Sequence, residues 1–138
     1  MIEVVNRQRK VRIDPERWLA FSEKALSVIR KQPSHATIAF VSDRQIKELN
    51  RRFRGIDKAT DVLSFPVGDE TSGETNLGDI AISLERASIQ AQENQLTLDE
   101  EIAQLILHGL LHLCGYDHVT DKGEMNRLEL KLREDLRI

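Results

Sequence analysis

The 138-residue chain has one cysteine, Cys114. No intrachain disulfide can form, and a reducing, cytoplasmic setting is the expectation. No run of about 18 apolar residues is present, so a membrane-spanning helix is not expected. The first residues, MIEVVNRQRKVRID, lack the apolar stretch of a secretory signal. Internal repeats and linkers are missing too. The length suits one domain and excludes two catalytic ones. What is present is enough to fold: 40% of residues are hydrophobic and 31% charged, a balance outside the disordered class.

The formal net charge of −3 hides an asymmetry. Residues 1–60 hold 14 Lys and Arg against 7 Asp and Glu, whereas residues 61–138 hold 6 against 16. The densest basic stretch carries Arg44, Lys47, Arg51, Arg52, Arg54 and Lys58. Such a run is either a solvated helix face or a surface that contacts phosphates, and its position relative to a catalytic site decides between the two.

Hydrophobic periodicity predicts strands alternating with helices. Residues 2–6 and 10–13 read as short strands or one bent edge. Asp14 and Pro15 open a helix with Trp18, Phe21, Ala25, Leu26 and Ile29 at helical spacing, closed by Pro33. Residues 37–41 (TIAFV) read as a buried strand. Ser42 and Gln45 form a capping box for a second helix with Ile46, Leu49 and Phe53 facing inward. After a turn at residues 55–58, residues 61–65 (DVLSF) read as a strand stopped by Pro66. The polar residues 67–76 read as an exposed loop, and residues 78–82 (GDIAI) as a third strand. Ser83 caps a helix through Asn94. Thr97 and Glu100 open another, carrying Ile102, Leu105, Ile106 and Leu110, which Gly115 ends as a left-handed cap. A last helix runs from about Asp121 to Leu136, with Met125, Leu128 and Leu132 inward. The class is α/β or α+β with one mixed sheet.

Three of the four histidines fall within HGLLHLCGYDH at positions 108–118. His108 and His112 stand one turn apart on one helix face, so both imidazoles can reach one metal from a rigid platform. Gly115 breaks the helix, and the chain can return His118 to the same ion. Three neutral nitrogens on zinc leave a fourth position open, as catalytic sites do. His35 has no such company and reads as a surface residue. Cys114 should face the core. Tyr116 is a candidate lining residue. Asp117 is either a turn cap or an acceptor orienting an imidazole. Asp61 is likewise either a strand-end residue or part of the site.

The spacing also matches the metzincin proteases, with one departure: Gly109 stands where those enzymes carry the Glu that serves as general base. A zinc peptidase is therefore a weaker reading. A phosphodiester suits the site better, because zinc and an arginine together can stabilise the negative charge that gathers on phosphate oxygens. With RNA, either water or the 2′-OH can attack.

At this point the chain resembles the YbeY-type endoribonucleases, the rRNA maturation factor family. HGLLHLCGYDH (108–118), LNRRFRGIDKATDVLSFP (49–66) and LGDI (77–80) match three family segments. Phe53 and Ala59 depart from the usual Tyr and Pro. The resemblance implies a single α+β domain over residues 1–138, with a mixed, mostly parallel four-stranded sheet, about five helices and a zincin-like metal-bearing helix. It implies a cytoplasmic, zinc-dependent, single-strand-specific endoribonuclease with one Zn2+ per chain. Its work would be small-subunit rRNA 3′-end maturation and ribosome quality control, with ribosomal RNA, the small subunit and its assembly factors as partners and no membrane. The family's metal ligands carry over onto His108, His112 and His118, and its essential arginine onto Arg54. That places the basic stretch near the site, with Arg51, Arg52 and Lys58 as candidate RNA contacts. A non-catalytic ribosome assembly factor is the third reading.

Overall fold

The computed structural model describes residues 1–30, 32–71, 74–116 and 123–136. Nine elements follow one another: β1 (Ile2–Asn6), α1 (Pro15–Ile29), β2 (Ser34–Val41), α2 (Asp43–Arg54), β3 (Val62–Thr71), β4 (Glu74–Ser83), α3 (Leu84–Glu93), α4 (Leu98–Leu113) and α5 (Glu124–Leu136). The four strands form one sheet in the order β1-β2-β4-β3. β1 with β2 and β2 with β4 are parallel, while β3 runs antiparallel to β4. The α+β class with a mostly parallel mixed sheet and five helices is as expected.

The helices begin where local chemistry tells them to. Asp14 accepts the N–H groups of Glu16 and Arg17, with Pro15 in the first helical turn. Complete capping boxes start α2 (Ser42 with Gln45) and α4 (Thr97 with Glu100). Ser83 caps α3, and its hydroxyl donates to Asp43 at 2.7 Å, which ties the starts of α2 and α3 together.

Alternation along the strands sorts side chains onto two faces. Ile38, Phe40, Ile80 and Ile82, all fully buried, meet Trp18 and Leu26 of α1 and Ile102, Ile106 and Leu110 of α4. The opposite face carries a smaller cluster, Val41, Leu63 and Ala81 against Ile46 of α2. α4 lies so close to the sheet at Gly109 that a Cβ there would sit 2.9 Å from the Ile80 side chain.

Five expectations need correction. Residues 10–13 are not a strand: the Gln8 side chain takes both backbone groups of Val11, replacing strand partners. Pro66 does not stop β3, and the expected exposed loop is strand over residues 67–71 and 74–76, because β3 and β4 continue pairing through Thr71 and Glu74. β3 is an edge strand, where a missing N–H is tolerated, and the register shifts between Pro66 and Asp69. Opposite it, Gly78 has φ +123° and lies under the Phe65 carbonyl, a contact any Cβ would forbid. Phe53 does not face inward; it is 64% exposed and rests edge-on against Phe65 because α2 ends over the rim of the sheet. His35 is half-buried within β2, which begins three residues earlier than expected. The proposed start of the last helix at Asp121 and the Met125 side chain lie outside the described residues.

Candidate active site

Two helices and one strand deliver the site. α4 ends in a turn that the sequence anticipates: Gly115, at φ +98°, donates its N–H to His112 and Tyr116 donates to Leu111. This closure fixes the last turn of α4, which carries His112, with His108 one turn earlier on the same face. α2 ends at Gly55, at φ +70°, immediately after Arg54. β3 supplies the wall between them. The result is a cleft of about 630 Å³, lined among others by Arg54, Asp61, Ser64, His108, His112 and Tyr116.

Both imidazoles converge. Their Nε2 atoms are 3.0 Å apart and the rings meet edge-on at 4.5 Å. Two nitrogens on one tetrahedral zinc, each about 2.0–2.1 Å from it, are about 3.3 Å apart. The pair therefore fits a shared cation, and it sits at the negative end of the α4 dipole, which favours one. His118, the expected third ligand, and Asp117 lie outside the described residues. Among the described residues no group of three His, Cys, Asp or Glu is arranged to hold a metal.

Arg54 is exposed and donates to the Ser64 carbonyl at 3.2 Å, which holds its guanidinium toward β3. It lines the same cleft as His108 and His112. The structure does not bring in the rest of the basic stretch. Arg51 is engaged with Glu48 at 2.6 Å, and neither it nor Arg52 nor Lys58 lines the cleft. That pairing lowers the Glu48 pKa and raises that of Arg51, mainly through their hydrogen bond. Cys114 packs half-buried against the core, and burial raises its thiol pKa.

Asp61 lines the same cleft. One carboxylate oxygen accepts the Val62 N–H at 2.8 Å and the Thr60 hydroxyl at 3.2 Å. Its main-chain carbonyl accepts the Ser83 N–H at 2.9 Å. Behind it stand two residues that sequence reasoning missed. Gln90 of α3, with its amide nitrogen turned to the carboxylates, donates to Asp61 at 3.1 Å and to Glu101 at 3.0 Å. Glu101 is only 5% exposed, two turns before His108 on the same face of α4. Burial raises its pKa, the nearby Asp61 charge adds to this, and Arg133 of α5 opposes it. A Glu in an otherwise apolar helix face, seven residues before a histidine, was the available signal.

Comparison with known proteins places this arrangement. The sequence profile described as Endoribonuclease YbeY matches residues 3–137. The Endoribonuclease YbeY of Aquifex aeolicus is 44% identical over 129 residues, covering 93% of this chain and 81% of the relative. That of Koribacter versatilis is 48% identical over 124 residues, covering 85% and 79%. The solution structure of TM1509 from Thermotoga maritima superposes with a TM-score of 0.68 at 30% identity, over 99% of this chain and 89% of that one. This chain therefore belongs to the Endoribonuclease YbeY family.

Proposed function

We propose that this protein is a zinc-dependent endoribonuclease that cuts single-stranded RNA. The observation that carries the reading is the convergence of His108 and His112 on one point, facing Arg54 across one cleft. The names of the relatives supply the reaction class. In this reading His108, His112 and His118 hold one Zn2+. Bound there, the cation supplies a Lewis acid that polarises a phosphoryl oxygen and acidifies an attacking water.

The chain's own groups do the rest. Arg54 presents a permanent positive charge that binds the scissile phosphate and takes up the charge that gathers on its oxygens. Exposed Phe53 and Ile56 stand on either side of Arg54 along the chain, at the end of α2 and just beyond it. The unstacked bases of a single strand can pack on such side chains, whereas a stiff A-form duplex does not present its bases to them. Arg51, Arg52 and Lys58, outside the cleft, serve as outlying phosphate contacts. The substrate is ribosomal RNA, with small-subunit 3′-end maturation and ribosome quality control as the biological roles, in the cytoplasm and with the small subunit and its assembly factors as partners. Among the described residues no helix is long and apolar enough to cross a membrane.

The peptidase reading loses further ground on geometry. At Gly109, the position of the peptidase glutamate, the helix abuts Ile80 and has no room for a side chain. The deciding experiment pairs pre-rRNA processing in cells with cleavage of labelled RNA by the purified, zinc-loaded protein. His112→Ala should lose metal and both activities. Arg54→Glu should keep metal and lose processing. Full processing by His112→Ala overturns the reading, and a protein that binds rRNA without cutting it makes the chain an assembly factor instead.

A further inference from the structure

The endoribonuclease reading leaves one part unassigned: no side chain of α4 accepts the proton of the attacking hydroxyl. Position 109 is a buried glycine with no space for a carboxylate. Among the described residues that line the cleft, Asp61 is the one carboxylate. It forms no ion pair with any described cation, so its charge is not already spent on a neighbour. Three donors fix it: the Val62 N–H, the Thr60 hydroxyl and the Gln90 amide. A carboxylate has about four lone-pair sites, so three donors leave one for a substrate proton.

The Gln90 contact sets where that site points. Its amide spans from Asp61, just before β3, to Glu101 on α4. Glu101 and His108 lie on one helix, so this bridge couples the position of the Asp61 carboxylate to that of the histidine pair. Glu101 is buried and cannot itself meet a substrate.

Resting on the endoribonuclease reading, we propose that Asp61 is the catalytic proton acceptor of this cleft and that Gln90, braced by Glu101, is the positioning residue that aims it. As the oxygen of the attacking hydroxyl bonds to phosphorus, its proton passes to the free lone pair of Asp61. The bond from phosphorus to the leaving oxygen breaks, and that oxygen takes a proton from solvent. Asp61 then returns its proton to bulk water. The assignment holds whether water or the 2′-OH attacks, since either must lose one proton.

The test uses the full-length, zinc-loaded protein and a labelled single-stranded RNA, with metal content and RNA affinity measured alongside kcat and KM. Asp61→Asn should keep both metal and affinity and lose about 10²–10⁴-fold in kcat. Asp61→Ala should regain part of its rate when formate is added, a response that lost scaffolding does not give. Gln90→Met, outside the cleft, should lower kcat about 10- to 100-fold with KM unchanged. If Asp61→Asn does not fold, Gln90→Met carries the test alone, and an unchanged kcat overturns the proposal. Wild-type kcat in Asp61→Asn, or loss of its metal, overturns it while leaving the nuclease reading intact. A wild-type protein that cuts no RNA overturns both.

Discussion

Helices α2 and α4 start with the same capping grammar and end at the same cleft, yet they are opposites in between. α2 buries Ile46 and Asn50 and leaves a basic surface to solvent. α4 buries ten of its sixteen residues and exposes almost nothing charged beyond its first turn. The division of labour follows. The deeply packed helix holds the histidines, whose nitrogens, in the proposed function, must stay within tenths of an ångström of a shared point. The solvated helix holds Arg54, a long side chain that, in the proposed function, follows a mobile phosphate. A left-handed glycine closes off each helix, placing Arg54 and His112 in a last turn and His108 one turn earlier.

Substitutions separate these roles. The largest effect should come from His112→Ala on α4, which removes metal and RNA cleavage together; cleavage assays with metal analysis check it. Next, Ile106→Ala should destabilise the fold by about 2–5 kcal/mol, read from denaturant unfolding, because the side chain is fully buried between α4 and the sheet. Arg54→Glu on α2 should cost about 10²–10³-fold in cleavage and shift stability by no more than about 0.5 kcal/mol. Thr97→Ala and Ser42→Ala should each cost about 1 kcal/mol, because the two caps do the same work on unlike helices.

The smallest effect concerns Glu101. Its folded pKa is raised by burial, so folding favours the neutral acid. Wild-type stability should then fall as pH rises through that raised value, and Glu101→Gln should lack this decline. Glu100, exposed, has its pKa lowered by the Thr97 hydrogen bonds, so its contribution has the opposite sign and is lost as pH falls. Thermal unfolding of Glu101→Gln and Glu100→Gln across pH 3–8 separates the two.

Much of this comparison was legible in the sequence. Capping boxes are local, and the i, i+4 histidines and the glycine after them need only helix geometry to be placed. The resemblance to a known family pointed to Arg54. What escaped shares a cause: it depends on partners far along the chain. Residues 67–76 are polar, and backbone pairing to β4 leaves no mark in side-chain pattern. Val11 and Ile13 alternate as strand residues do, but they pack a loop whose backbone is satisfied by Gln8. Phe53 kept its helical period while the sheet beneath it ran out. Gln90 and Glu101 are unremarkable until α3 packs on α4 and brings both to Asp61.

The most direct test of the account is metal stoichiometry by mass spectrometry after zinc loading and dialysis, for the wild type and for single alanine variants of His108, His112 and His118. The account predicts about one zinc per wild-type chain and almost none in any variant. A wild-type protein that emerges metal-free, or variants that load as the wild type does, would contradict it.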